Sequence, residues 1–160
     1  MSLPVQIVTE PYRNYKFLVE IDGFASAGFS KCSGLDFETE VTEYREGGEN
    51  TRMRRLPGHN KFSPIVLERG ATANLDMWNW SKAVRAYGGL VTSNPVKKTM
   101  SIVLIGTNGA RLREWTAVEC WPSKWEMGEF DGKSNDVLLE RITIQHEGVD
   151  QVGTPKADVA

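Results

Sequence analysis

The chain has 160 residues, which at roughly 150 residues per domain predicts a single domain spanning residues 1–160. Hydrophobic residues make up 40% of the sequence and charged residues 25%, a composition typical of globular proteins rather than disordered chains. Nineteen Lys and Arg against 21 Asp and Glu give a net charge of −2, which argues against a dedicated nucleic-acid-binding protein because such proteins usually carry a basic excess.

The first predicted elements are strands. Apolar residues alternate through 15–21 (YKFLVEI), which predicts a strand that ends at the turn dipeptide 22–23 (DG). A second, short strand is predicted at 29–32. In 35–42 (LDFETEVT) apolar residues alternate with acidic or polar ones, which predicts a long strand with one dry and one wet face.

An unusual segment follows at residues 45–61 (REGGENTRMRRLPGHNK). It shows neither a helical nor a strand period and contains three glycines and a proline. Structureless connections of this length are uncommon and are usually functional, so we expect an extended loop or arm. The next strand is predicted at 62–69, where Pro64 indicates an edge position or a bulge.

One helix is predicted over residues 72–87. Thr72 or Asn74 is suited to cap its start, and the glycines at 88–89 end it. Apolar residues recur along it with helical spacing. We expect this stripe to pack against the sheet rather than to form a ligand site, with packing residues Trp80, Val84 and Tyr87.

Three further strands are predicted in the C-terminal half, at 99–106, 111–121 and 137–146, with a hairpin turn at 107–109 (TNG). Residues 1–13 are expected to form an N-terminal arm and residues 149–160 a loose tail. Several strands with one internal helix predict an α+β fold, mainly an antiparallel β-sandwich or barrel with one packed helix.

No targeting signal is recognised in the sequence. The N-terminal residues lack a basic region and an apolar core of signal-peptide length, and no apolar run is long enough to span a membrane. We therefore expect synthesis in a cytoplasm and no stable membrane association. In that compartment Cys32 and Cys120 are expected to be reduced structural thiols.

Motifs for catalysis or cofactor binding are also missing. No phosphate-binding glycine motif occurs, and the segment 28–32 (GFSKC) does not complete a nucleophile elbow. The two histidines and two cysteines lack zinc-ligand spacing. A catalytic Cys–His pair, for which Cys32 and His146 are considered, stays open as an alternative, since such partners meet only in space. We predict no catalytic, cofactor or metal site.

Charge in the 45–61 segment is divided into an acidic half and a basic half. A nucleic-acid patch would need stacking aromatics, and only Phe62 is close. The division suits self-association, in which an acidic strand of one copy meets a basic loop of another, although a solvated loop is the alternative. The interface residues predicted on this basis are Arg45, Glu46, Glu49, Arg52, Arg54, Arg55, His59 and Lys61, with Glu38, Glu40 and Glu43 as carboxylate acceptors.

Several segments, in this order, resemble one protein family. They are 14–23 (NYKFLVEIDG), 27–35 (AGFSKCSGL), 38–48 (ETEVTEYREGG), 56–58 (LPG), 67–70 (LERG), 78–80 (WNW), 121–125 (WPSKW) and 140–148 (ERITIQHEG). They cover most of the chain and are specific in combination. On these residues the chain resembles the tail tube proteins of contractile phage tails and related contractile injection systems.

The resemblance implies a structural protein without enzymatic activity or cofactor. Family members form a β-barrel-like domain with a flanking helix, assemble into six-fold rings and stack into a hollow tube inside a contractile sheath. The first implied partners are further copies of the chain, in a homo-hexamer. The others are sheath, baseplate, hub, spike and terminator-cap proteins, and a cargo of DNA or protein effector in the lumen. The implied location is a phage tail or phage-tail-like particle that is made in a bacterial cytoplasm. Release of that particle from the cell is compatible with the resemblance.

Two other functions stay open at this point. A baseplate-proximal tube initiator or adaptor of the same family would share these motifs and cap one end instead of polymerising. A small β-sandwich enzyme or ligand-binding module belongs to a different class.

Overall fold

The computed structural model describes residues 16–24, 28–45, 47–48, 52–87 and 96–152. This part of the chain contains nine strands and one helix. In chain order they are β1 (Phe17–Ile21), β2 (Lys31–Ser33), β3 (Phe37–Tyr44), β4 (Arg54–Phe62), β5 (Ile65–Gly70), α1 (Asp76–Tyr87), β6 (Lys98–Ile105), β7 (Arg111–Met127), β8 (Leu139–Gln145) and β9 (Gly148–Val152). The expected α+β fold, mostly antiparallel strands with one helix, is confirmed.

Strand β7 organises the sheet because it belongs to both of its halves. The strand order is β1-β6-β7-β8-β5-β2, with β9 as an additional partner of β7, and every pairing is antiparallel. The N-terminal part of β7 pairs with β6 and β9, and its C-terminal part pairs with β8. The long strand thereby joins the β1-β6-β9 half of the sheet to the β8-β5-β2 half.

The core contains alternate residues of both halves. Strand β5 has the burial pattern expected of a half-buried strand, with Ile65 and Leu67 fully inaccessible and the residues between them partly exposed. One continuous apolar cluster unites the inward residues of the two halves, among them Val19, Ile21, Met100, Ile102, Ala117, Ile142 and Ile144. The two halves therefore share one core, as expected for the predicted β-sandwich or barrel.

Strands β8 and β9 pair one after the other with the same edge of β7, and a bend separates them. At the bend Glu119 has a positive φ of 54°, and the amide of Glu147 donates to the carbonyl of Val118 at 3.0 Å. The ammonium of Lys97 lies 3.8 Å from Glu119 and 3.1 Å from Glu147. The expected loose tail is therefore wrong for residues 149–152, which pair with β7 and whose first residue, Val149, packs against the core cluster. Residues 153–160 lie outside the described part.

Helix α1 begins four residues later than predicted, at Asp76. The side chain of Asn74 accepts a hydrogen bond from the Asp76 amide at 2.8 Å, so it caps the start of the helix, and Thr72 bonds the Asn74 amide at 3.3 Å. Trp80 is only 4% exposed, and its ring meets Phe24 edge to face with centroids 5.3 Å apart. Val84 packs against the core cluster, whereas the Tyr87 side chain lies outside the described part.

Strands β3 and β4 form a separate two-stranded sheet. The structureless loop expected at 45–61 is therefore wrong for its second half, which is strand β4. Phe62, expected at the start of the following strand, ends β4 instead. All nine residues of β4 are exposed, so no buried face imposes the alternation by which strands are recognised in sequences.

Shorter differences concern strand ends. The second strand is Lys31–Ser33 rather than 29–32, and Phe29 is buried just before it. Both predicted turns contain a glycine with positive φ, Gly23 at 80° and Gly109 at 81°. Within the described ranges, no helix is long and apolar enough to cross a membrane.

Candidate assembly surface

The β3–β4 hairpin has two faces, which follow from its register. Directly opposed residues of an antiparallel pair share a face. The first face contains the pairs Phe37–Phe62, Thr39–Asn60, Val41–Pro57 and Glu43–Arg55, and the second contains Glu38–Lys61, Thr42–Leu56 and Tyr44–Arg54, with Glu40 beside them. One face is therefore mainly apolar towards its base, and the other is mainly charged or polar.

Both faces are open to solvent in the single chain. Phe37 is 69% exposed and Val41 is 63% exposed, although the alternation of this strand predicted a dry side. Tyr44, Leu56 and the neighbouring Met53 are also about half exposed. Adjacent exposed apolar side chains on one element are characteristic of surfaces that another protein covers. The apolar face that the sequence predicts is therefore present, but in the single chain it is exposed to solvent.

Charges of opposite sign meet across the hairpin of one chain. Lys61 forms an ion pair with Glu40, and Arg55 lies 4.0 Å from Glu43. The hydrogen bond and the negative charge of Glu40 raise the pKa of Lys61. Within one chain these two carboxylates already have basic partners: Glu43 lies directly opposite Arg55 in the register, and Glu40 lies diagonally across from Lys61. Their pairing with the basic residues of another copy stays a prediction.

The remaining predicted interface residues are spread around the tip and strand β4. Arg45 and Arg52 are exposed on either side of the tip, and Arg54 and His59 are exposed in β4. Glu38 is exposed opposite Lys61. Glu46 and Glu49 lie outside the described residues. The exposed apolar residues of the hairpin were not predicted as interface residues; the alternation in β3 was the one sequence signal that pointed to them.

A bulge in β4 depends on Gly58. The register shifts between Thr39 and Val41, so that β4 has one extra residue at this point. A Cβ atom at Gly58 would lie 2.9 Å from the Thr42 hydroxyl and 3.1 Å from the Glu40 carbonyl oxygen. A larger residue would therefore need Thr42 and the Glu40 backbone to shift, so glycine suits this close approach; the bulge also increases the twist of the hairpin.

The base of the hairpin contacts the main sheet at His146. The His146 ring lies edge to face with Phe62, with centroids 5.7 Å apart, and Phe62 in turn contacts Phe37 at 6.2 Å. His146 Nε2 donates to the carbonyl oxygen of Ser63 at 2.8 Å. His146 is thus a packing residue between hairpin and sheet.

Both cysteines are free thiols in environments that disfavour the thiolate. Burial raises the pKa of Cys32 to about 11 and that of Cys120 to about 12. Nucleophilic catalysis needs a thiolate near neutral pH, so neither side chain is prepared for it. Among the described residues, no three His, Cys, Asp or Glu side chains are grouped so as to hold a metal ion.

We expect denaturing alkylation without reductant to add two labels to the chain, because both thiols are free. In the folded protein at pH 8, Cys120 should remain unlabelled, since it is inaccessible, and Cys32 should react slowly. The rate at Cys32 should rise about tenfold per pH unit while the pH is below its raised pKa. Intact-mass spectrometry measures both stages; no added label after denaturation would mean that a disulfide is present.

Comparison with known proteins yields one family model and several solved structures. Residues 13–150 match the family model described as T4-like virus tail tube protein gp19. None of the curated proteins matches the chain. The chain is similar to one in the six-fold symmetrised cryo-EM structure of the anti-feeding prophage (AFP) baseplate, with 25% identity and a TM-score of 0.76 over 91% of this chain and 98% of that chain.

Two other structures extend this likeness. A chain in the sheath-tube complex of the extracellular contractile injection system PVC, in its extended state, has 26% identity and a TM-score of 0.75, covering 95% of this chain and 99% of that chain. Hcp1 from Flavobacterium johnsoniae has 16% identity and a TM-score of 0.53, covering 86% of this chain and 94% of that chain, a likeness that concerns the fold alone.

Proposed function

The chain belongs to the T4-like virus tail tube protein family, a family of structural proteins, and from this premise we propose that it is the repeating subunit of the inner tube of a contractile tail or injection machine. In this role the subunits form homo-hexameric rings that stack into a tube, and the lumen of the tube passes a cargo of DNA or protein effector. The subunit acts by assembly and needs no catalytic group or cofactor.

The observation that carries this proposal is the exposed β3–β4 hairpin. Among the described residues no third strand pairs with this hairpin, and an isolated two-stranded hairpin has little stability of its own. Apolar side chains are exposed on both of its strands. A second subunit that covers Phe37 and Val41 would remove their apolar surface from water and hold the hairpin in place. Repetition of this contact around and along a tube would add many such small contributions.

The other partners follow from the same proposal. The related chains come from structures that contain a baseplate, a sheath-tube complex, a tube-terminating cap and a sheath/tube terminator. By analogy, the tube of this protein would bind a sheath around it, a baseplate with hub and spike at one end and a terminator cap at the other. We propose that the protein is made in a bacterial cytoplasm and becomes part of a phage tail or tail-like particle, whether or not that particle leaves the cell. It would have no stable membrane association.

A second candidate is a baseplate-proximal tube initiator or adaptor of the same family. The likeness to a chain in a baseplate structure favours it. Electron microscopy of the protein co-expressed with sheath and baseplate proteins distinguishes the two functions: a repeating tube subunit gives long tubes, and an initiator gives a single terminal ring. If neither a tube nor a ring forms, the proposed function is contradicted.

We expect two hairpin variants to separate folding from assembly. Replacing Phe37 and Val41 together with serine should leave the thermal midpoint of the free chain nearly unchanged, because both side chains are already exposed, and should abolish tubes.

Replacing Arg52, Arg54 and Arg55 with serine should also leave the fold intact. This variant should give no tubes, or tubes that dissociate as salt is raised, because exposed ion pairs are weak and screened.

Phe130→Ser provides the matched control. Phe130 is even more exposed than Phe37 but lies in the loop between β7 and β8, away from the hairpin sequence. Tube length counted in negative-stain images at low and high salt is the readout. Full-length, salt-resistant tubes from both hairpin variants would contradict the assignment of the hairpin as an assembly element.

A further inference from the structure

A groove lies between helix α1 and the C-terminal part of β7. Its cavity volume is about 380 Å³. Strand β6 pairs with β7 only as far as Cys120, and within the described residues no other strand pairs with the same edge of β7 beyond that point. Helix α1 lies beside that edge. The groove is lined chiefly by three tryptophans and three cations, which are Trp78, Trp121, Trp125, Lys82, Arg85 and Lys124.

The aromatic wall of the groove is held in place by a buried polar network. Trp78 and Trp125 meet edge to face with centroids 4.7 Å apart, and Trp125 Nε1 donates to Glu140 Oε1 at 2.6 Å. Glu140 in turn binds Arg69 at 3.1 Å, and Arg69 donates to the Asn74 carbonyl at the start of α1. Both walls are therefore fixed before any ligand arrives, which lowers the entropic cost of binding.

Charge in the groove has one sign. Its lining contains three cations and no carboxylate, although the chain as a whole has a net charge of −2. Lys124 is paired with Glu126 next to the groove, whereas Lys82 and Arg85 have no carboxylate partner among the described residues. The Arg85 guanidinium lies over the Trp78 ring, 5.8 Å from its centroid, which places a cation beside the aromatic wall of the groove. A guanidinium can bind a carboxylate through two hydrogen bonds.

We propose that this groove binds an acidic peptide segment of another protein, with an apolar side chain on the tryptophans and carboxylates on Lys82 and Arg85. The volume suits one or two side chains. Nucleic acid is disfavoured, because it needs a continuous basic track, and the surface next to the groove instead alternates in sign through Glu126, Arg141 and Glu68. The inference does not depend on tube formation.

The test uses the purified full chain and a panel of short fluorescein-labelled peptides. The peptides carry one Trp, Phe or Leu anchor among varied numbers of glutamates, with matched versions in which Gln replaces every Glu or Ser replaces the anchor. Fluorescence anisotropy should detect binding of anchored acidic peptides only. Binding should weaken as salt is raised, since the carboxylate contacts are partly exposed.

Charge reversal then locates the site. Lys82→Glu with Arg85→Glu should raise Kd for the acidic peptides at least about tenfold. Lys31→Glu with Lys133→Glu, which changes the net charge equally at exposed sites outside the groove, should leave Kd within about twofold. Trp78→Ala should weaken anchored peptides and leave circular dichroism unchanged.

Two outcomes would overturn the inference. One is a panel in which no acidic peptide distinguishes the groove variant from the control variant. The other is a labelled single-stranded oligo(dT) that binds the wild-type chain in a way that depends on Lys82 and Arg85 while the peptides do not. Either result is independent of whether the wild-type chain builds tubes.

Discussion

Replacing Glu140 with glutamine is expected to lower the free energy of unfolding by about 3–5 kcal/mol, the cost typical of breaking a buried ion pair by removing one partner. The side chains of Arg69 and Glu140 are only 4% and 5% exposed, and Nε of Arg69 lies 3.1 Å from Oε2 of Glu140. Glutamine keeps the size of the side chain, so the loss reports the uncompensated Arg69 charge rather than a cavity. Urea unfolding followed by circular dichroism measures it.

Glu68→Gln is the control for this prediction. Glu68 pairs with Arg141 at 2.8 Å on the outer side of the same sheet, where Arg141 is half exposed. Without Glu68, the Arg141 guanidinium still reaches water and lies 3.6 Å from Glu126, so no buried charge is left without a partner and this variant should lose much less stability than Glu140→Gln. Equal losses from the two variants would mean that the Arg69 charge finds water or another partner, and that the buried network does not hold the helix start.

Trp80→Ala is expected to cost about 3–5 kcal/mol, the range for truncation of a large buried aromatic side chain. Trp80 contacts the Phe24 ring, and its Nε1 donates to the Val96 carbonyl at 2.6 Å. Truncation leaves a cavity beneath α1 and removes the hydrogen bond from Trp80 to the Val96 carbonyl, just before β6. Thermal and urea unfolding of the free chain provide the measurement.

Two further variants separate the contribution of packing to this stability loss from that of the hydrogen bond. Trp80→Phe retains most of the packing but removes the donor, so we expect an intermediate loss of about 1–3 kcal/mol. Leu75→Ala, at an exposed position just before α1, should change stability by less than about 0.5 kcal/mol. If Trp80→Ala unfolds at the wild-type midpoint, the apolar stripe of α1 does not stabilise the single chain.

Elements with a buried face were predictable from the sequence. The strands around Val19, Leu67 and Ile144 each have one side in the core, and burial on one side is the condition that produces alternation. The same holds for α1, where Met77 and Trp80 face the core at helical spacing. Its first residue was misplaced because both Thr72 and Asn74 are capping residues, and only the hydrogen bonds distinguish them.

The candidate assembly surface was predicted only in part. The length and divided charge of 45–61 indicated a functional segment, and the acidic residues of β3 were recognised as its counterpart. Pairing of Glu40 with Lys61 and of Glu43 with Arg55 inside one chain was not predicted, because it requires the register of a hairpin whose second strand has no alternation. The exposure of Phe37 and Val41 could not be predicted either, because alternation indicates which residues share a face but not what covers that face.

By itself, the sequence determined the fold class, the core strands, the helix and the family, because periodicity and local motifs are properties of neighbouring residues. Only the tertiary structure decided where the chain pairs with itself. Strands β4 and β9 are held by backbone hydrogen bonds to β3 and β7, and backbone pairing leaves no mark on side-chain composition. The bulge between Pro122 and Lys124 has the same origin: it aligns Trp125 with the buried Ile142, where Glu140 and Trp78 can reach its ring, and that alignment depends on the register with β8.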